Sequence, residues 1–422
     1  MKKQTKQLAL LLALTLMIIC VCALVAGCGE TPDPILTLDS TTTESTIATD
    51  NSSETRVTET TTQSTFTSSE TTSETTSTTM PKYTTDDETG IYVNPLSGLK
   101  NLDSDPSKLR PVAIVVDNIK EAYANQEGLD QADIVYELLV APGITRYLAV
   151  FQDYSKLDTV CNVRSGRDYH ISLSLGHNAV LVCHGGAQNS TYDFFQLAAD
   201  KLGSRWGFVD TAWDTKVFCK ENVSLFQKSS SRPELGYKDT FVKNNVLRLV
   251  FKGSSKFLSE GGTITGAPVG FSFSSSDNVN VENGEKATNI NVLFTCTGAS
   301  GKKFVSFNYD ATSKKYIRYQ DNKTSDCGEI LAFKNVLILG TEVTNVKGTK
   351  EDPNVSLVKT TGSGVGYYFT NGKAVRIEWR KATDRDVLSF YYYGTNVEVE
   401  LSRGQSYVGF VNESYVENSF FG

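Results

Sequence analysis

Arg110-Pro111-Val112-Ala113-Ile114-Val115-Val116-Asp117-Asn118 is the stretch on which the fold turns. An apolar run between a proline and an Asp-Asn pair, too short for a helix and too continuous for a strand with one wet face, predicts a strand buried on both sides. Its C-terminal end then reaches polar surroundings. Downstream, Asp133 to Val140 and Thr145 to Phe151 predict two strands joined as a hairpin through Ala141-Pro142-Gly143. Thr159 to Val163 reads as another strand, Arg164-Ser165-Gly166-Arg167-Asp168 leads into a helix to about Leu175, and Ala179 to Cys183 is a buried strand ending in His184-Gly185-Gly186. Strands mixed with helices predict an α+β or α/β domain over residues 91–251.

From 252 to 286 the composition shifts to Gly, Ser and Asn, which reads as a linker or long loop. Beyond it, Lys315 to Tyr319, Val336 to Leu339 and Ala374 to Trp379 predict strands, and Asn371-Gly372 between aromatic and β-branched runs is a strong hairpin signal. Residues 287–422 are expected to form a mostly antiparallel β domain.

The N-terminus reads as an address. Lys2, Lys3 and Lys6 precede an apolar run from Leu8 to Ala26 that ends in Val25-Ala26-Gly27-Cys28. A basic start, an apolar middle and small residues before a cleavage point make residues 1–27 a secretory signal. Val-Ala-Gly-Cys resembles the bacterial lipobox, which implies cleavage before Cys28 and its lipidation. Two acyl chains on one residue suffice for stable anchoring, at about 0.8 kcal/mol per buried methylene. The expected location is the extracytoplasmic face of the cell membrane. Residues 28–90 read as an unfolded tether: between 40 and 80 there are 27 Ser/Thr and 6 acids, and the larger apolar side chains are Ile47, Val57, Phe66 and Met80. Such a stretch cannot offset the entropy of ordering its backbone.

Of 41 basic and 48 acidic residues in this 422-residue chain, 5 and 12 fall before residue 91, leaving 36 of each in the body. The net charge of −7 thus lies in the first 90 residues, with all 12 of their acids in the tether. A balanced body excludes nucleic-acid binding by bulk phosphate neutralisation. Outside the signal the cysteines are Cys161, Cys183, Cys219, Cys296 and Cys327. They contain no Cys-x-x-Cys zinc or redox motif, and read as buried small residues with one bridge, such as Cys296 with Cys327, still open.

Several short motifs carry a resemblance. Asn94-Pro95-Leu96-Ser97-Gly98, Arg110 to Asn118, Ala132-Asp133-Ile134-Val135-Tyr136-Glu137, Gly143-Ile144-Thr145-Arg146, Val163 to Arg167, Tyr316-Ile317-Arg318 and Asn335-Val336 stand in the order seen in YerB-like lipoproteins. The resemblance covers most of residues 92–413 and implies a two-domain extracytoplasmic bacterial lipoprotein, from a family without an established activity. The sequence departs from that family at Pro233-Glu234-Leu235, where Pro-His-Asn is common.

Polar residues at the ends of apolar runs are the candidates for chemistry. If the strands share a sheet, Asn118, Arg146, Arg164, Ser165, Arg167 and His184 could converge on one edge as a binding site, where α/β folds place ligands. Arg164 and Arg167 bracket the start of a predicted helix, whose free amides favour an anion, and guanidinium groups grip carboxylate or phosphate in bidentate fashion. The alternative is that these arginines pair with Asp133, Glu137 or Asp168 and brace the domain. Asp117, Glu137 and Asp168 are the candidate catalytic carboxylates for glycan hydrolysis. His170, His177 and His184 are spaced by seven, which matches no compact metal motif, so no metal is expected. Ser165 lacks a nucleophile elbow, and Gly185-Gly186 reads as a tight turn. Tyr316, Tyr319, Tyr367, Tyr368, Tyr391, Tyr392 and Tyr393 could stack on sugars or a partner, although alternation sends about half of them to the core.

Two functions follow. The first is a non-enzymatic, lipid-anchored binding or scaffold protein for an anionic wall polymer or an envelope partner protein, without cofactor. The second is a hydrolase or transferase acting on an anionic wall glycan or phosphodiester.

Overall fold

The computed structural model describes residues 91–202, 208–210, 227–228, 240–243, 268–275, 279, 281, 283–320, 330–348, 354–416 and 421–422. The signal, the tether, Cys219, Pro233 and Cys327 lie outside the described residues.

The Val112–Asp117 run is a strand with every residue buried, as its continuous apolar character requires. It is β1 of an 11-stranded sheet. The others, in chain order, are β2 (Ile134–Ala141), β3 (Ile144–Phe151), β4 (Val180–Cys183), β5 (Phe208–Asp210), β6 (Glu285–Lys286), β7 (Asn335–Thr341), β8 (Gly362–Thr370), β9 (Lys373–Lys381), β10 (Ser389–Tyr392) and β11 (Ser406–Asn412). The order across the sheet is β6-β9-β8-β7-β11-β2-β3-β1-β4-β5, with β10 also paired to β9. β2 and β3 form the predicted hairpin, turning at Gly143 with φ of 75°. β8 and β9 form the second, where Asn371 and Gly372 both take positive φ, as a tight primed turn demands.

The sheet is mixed. β1, β4 and β5 run parallel, and so do β2, β11 and β7, while the remaining pairings are antiparallel. β11, near the C-terminus, inserts beside β2, so strands from both expected domains share one sheet and the division at 252–286 does not separate two sheets. Part of the expected linker is core. Pro268 to Ser275 lies along the body, with Phe271 buried against His177 and Phe390 at ring distances of 5.4 and 5.3 Å.

A second, antiparallel sheet joins Asn289–Phe294, Lys303–Asp310, Lys315–Gln320 and Ala332–Phe333 in chain order. It covers β11 through Tyr407, whose ring lies 4.8 Å from Phe307 and 5.5 Å from Phe333. The resulting apolar cluster runs through both parts of the chain.

Helix is scarcer than expected. Among the described residues of the N-terminal part, α-helix amounts to two nine-residue helices, α1 (Asp168–Gly176) and α2 (Phe194–Leu202), so the fold described is mostly β with weak α/β character around β1, β4 and β5. α1 is buried along almost all its length, which fits its apolar sequence.

Candidate functional site

The end of β1 divides the polar candidates into two neighbouring groups. The first centres on Glu137 in β2, which is fully buried. Its Oε2 accepts from Arg318 Nη2 at 2.8 Å and from the Tyr407 hydroxyl at 2.7 Å. Its Oε1 accepts from Thr145 Oγ1 at 2.7 Å and Asn118 Nδ2 at 3.0 Å. Gln320 closes the ring, donating to Asn118 Oδ1 and accepting from Arg318, both at 2.9 Å. Alternation explains the arginine: in Lys315–Gln320 the inward positions are Tyr316, Arg318 and Gln320. Burial is the largest influence on Arg318 and opposes its charge, yet Glu137, Tyr147 and Tyr407 together outweigh it and raise its pKa. Both carboxylate oxygens are occupied, each by two donors, and neither is turned to solvent.

The second group gathers arginines. Asp117, at the end of β1 and fully buried, pairs with Arg164 Nε at 2.9 Å and lies 3.8 Å from Arg146 Nε. Arg146 Nη1 donates to the Ser165 carbonyl at 2.5 Å. Arg167 donates to the carbonyls of Gly166 at 3.0 Å and Val140 at 3.2 Å, and its buried Nε has no hydrogen-bond partner. No carboxylate among the described residues lies within ion-pair reach of Arg167. Burial lowers the pKa of Arg146, then the nearby Arg167 charge, against the pull of Asp117. His170 is buried, and burial followed by the charges of Arg167 and Arg146 holds its pKa well below the usual value, so it is neutral. Its Nδ1 accepts from the Arg167 amide at 3.0 Å, which leaves the proton on a buried, unpartnered Nε2. The group therefore holds positive charge and donors in excess of its acceptors.

The helix start contributes less than expected. The amides of Gly166, Arg167 and Asp168 donate to Gly185 O, His170 Nδ1 and the Tyr192 hydroxyl, so they are occupied. An anion here would be held by guanidinium and imidazole groups rather than by the helix amides.

Residues 96–231 match the N-terminal domain, and residues 286–408 the C-terminal domain, of a family described as protein of unknown function DUF3048. The chain belongs to the DUF3048 family. YerB of Bacillus subtilis (strain 168), a candidate lipoprotein by its name, is 27% identical over 308 residues, spanning 69% of this chain and 79% of YerB. A crystal structure of YerB from Bacillus subtilis matches with a TM-score of 0.57 at 21% identity, covering 75% of this chain and 96% of that one. The structural likeness shows a shared fold.

Within this DUF3048 fold the expected site residues separate. Arg146, Arg164, Ser165, Arg167 and Asp117 come together, and His184 joins them through its amide, bonded to the Arg164 carbonyl at 3.0 Å. Asn118 and Glu137 belong to the buried network instead. Asp168 turns aside, its Oδ1 accepting from the Tyr192 hydroxyl at 2.9 Å. The histidines part as well: His177 bonds the Tyr136 hydroxyl and the Val269 carbonyl, both at 2.6 Å. Cys296 is a buried free thiol, and Cys327, the partner considered for it from sequence, lies outside the described residues. Tyr316 and Tyr368 are core residues, while Tyr393 is exposed. Sequence reasoning missed Arg318, Gln320, Tyr407 and His170 as members of these groups; alternation around Tyr316-Ile317-Arg318 was the available signal for the first two.

Proposed function

We propose that this protein is a lipid-anchored component of the bacterial envelope, tethered through Cys28 on the extracytoplasmic face, that binds an anionic group of a wall polymer or partner without chemically changing it. The observation that carries the reading is the charge excess at Arg146 and Arg167. Two buried guanidinium groups crowd a neutral histidine, and Asp117 is already engaged by Arg164. Buried charge that is paired within the fold is ordinary, whereas repelling cations with unpartnered donors favour an anion. Arg164, Ser165, His184, Gly185 and Gly186 are half-buried and offer the approach. The state of the acids supports binding over hydrolysis: Glu137 is saturated by four donors, and Asp117 and Asp168 are engaged. The signal and lipobox, and the lipoprotein name of YerB, support the anchor.

The test uses the full-length protein in detergent, titrated with inorganic phosphate and with a glycerol-phosphate polymer, against an Arg164→Ala, Arg167→Ala variant. Binding by the wild type, weakened about tenfold or more in the variant and without release of product, is expected. Equal binding by the two proteins would end the proposal.

A further inference from the structure

Away from the arginines, the β2–β3 turn forms one wall of an open groove of about 800 Å³, completed by the Gly298-Ala299-Ser300-Gly301 loop and by Asn345, Lys347, Gly348 and Asn354. The wall is built from backbone on backbone. A Cβ on Gly301 would come within 2.5 Å of the Pro142 carbonyl oxygen, so only glycine lets the loop seat against the turn. The lining segments are pinned just outside the groove: the Thr297 amide donates to the Val343 carbonyl at 2.9 Å, and Asn412 Nδ2 reaches Thr297 Oγ1 at 3.2 Å and the Val343 carbonyl at 3.3 Å. Such support holds the Gly298–Gly301 wall in place against the β2–β3 turn.

The lining chemistry selects a ligand. Asn345 Oδ1 is buried and has no hydrogen-bond partner, so it calls for a donor. Asn354 Oδ1 is used by the Gly348 amide at 3.1 Å, which leaves its Nδ2 to donate to an acceptor. One acceptor and one donor match a secondary amide. Pro142 and Ala299 supply small apolar surface for a methyl group, while no aromatic or large aliphatic side chain among the described residues lines the groove to take up a peptide side chain. Among the described residues no carboxylate lines it, and Lys347 is the charged member. We infer that this groove binds the acetamido groups of an N-acetylated glycan, with sugar hydroxyls meeting Ser300 and the glycine amides. The site is separate from the arginine cluster and does not depend on it.

The test titrates full-length protein in detergent with chitotetraose, an uncharged N-acetylated tetrasaccharide, with cellotetraose and tetra-alanine as comparisons. Binding is expected for chitotetraose, and at least about tenfold weaker for cellotetraose, which leaves both asparagines unanswered. Asn345→Leu removes the buried acceptor. Ser300→Trp fills the groove from an exposed position, so a folding defect in the first leaves the second informative. Both should weaken chitotetraose at least about tenfold, while Arg164→Ala, Arg167→Ala leaves it unchanged. No binding of chitotetraose, equal binding of cellotetraose or tetra-alanine, or full binding by Ser300→Trp would each overturn the inference.

Discussion

Arg318 and Arg167 are both almost wholly removed from water, with relative exposures of 1% and 5%, and their surroundings could hardly differ more. Arg318 faces a buried carboxylate whose every acceptor site is filled, in a ring that draws Asn118, Glu137 and Thr145 from one part of the chain and Arg318, Gln320 and Tyr407 from the other. Arg167 faces two carbonyls and a like charge. The first arrangement is closed and binds the molecule to itself. The second is open in the electrostatic sense, because its cations are not balanced at short range. Each guanidinium has two acceptors and an unpartnered Nε, so neither burial nor the number of hydrogen bonds separates a bracing charge from a binding one; a carboxylate against the charge does.

One substitution made twice breaks or keeps this contrast. Arg318→Met leaves Glu137 as a buried charge without its cation and should cost about 3–5 kcal/mol, read as a shift in urea denaturation. Arg167→Met deletes a repelling charge along with two hydrogen bonds to carbonyls, and should cost less than about 1.5 kcal/mol. Equal costs would mean that Arg167 braces the fold as Arg318 does, and would remove the main support for an anion site.

The unequal legibility of the two groups has a physical origin. The cluster at Arg146, Arg164 and Arg167 was visible because its members follow apolar runs that are neighbours in the chain, so strand pairing at short range brings them together. The Glu137 ring was hidden because its other half arrives from residues 318–407, and no local pattern reports that β11 inserts beside β2. The same insertion explains why two regions read as separate domains share a sheet. Hairpins at Gly143 and Asn371-Gly372 were legible from turn chemistry, whereas the docking of Phe271 depends on His177, far away in sequence. The expected helix-start anion site failed for a local reason: His170, three residues on, supplies the acceptor itself.

Acid tests the contrast next. His170, held neutral by burial first and then by the Arg167 and Arg146 charges, would add a further positive charge there on protonation. A histidine with a lowered folded pKa contributes stability that is complete above its unfolded value of 6.5 and is lost as pH falls through the folded value. His177, pushed down to about 4 chiefly by burial, acts in the same direction. Asp133 opposes them: burial raises it from 3.8 to about 6 despite its bonds from Gln152 and Asn94, so its contribution is complete below 3.8 and lost as pH rises through 6. The His177 and Asp133 shifts are each worth on the order of 3 kcal/mol and nearly cancel. Asp133→Asn should therefore unmask the histidines, with stability dropping by on the order of 3 kcal/mol or more from pH 6.5 to 4 relative to the wild-type profile. Adding His170→Asn should make that slope shallower. Parallel profiles for wild type and Asp133→Asn would mean that Asp133 ionises normally and that the histidines alone set the acid limit.

The smallest effects come from two tyrosines. Tyr407 donates at 2.7 Å to the buried Glu137 carboxylate, and Tyr192 donates at 2.9 Å to the half-buried Asp168. Tyr407→Phe leaves one carboxylate oxygen short of a donor where the ring is packed by Phe307 and Phe333, so water has no room to replace the hydroxyl, and the expected cost is about 2 kcal/mol. Tyr192→Phe removes the bond to the Asp168 carboxylate and also the acceptor of the Asp168 amide, but water can reach the half-buried Asp168, and the expected cost is about 1 kcal/mol. The same lost hydroxyl should thus be felt about twice as strongly in the closed ring as beside the arginine cluster. If Tyr192→Phe proves the costlier, the helix start is the more tightly braced of the two places, and the arginines beside it would have to be read as part of that bracing.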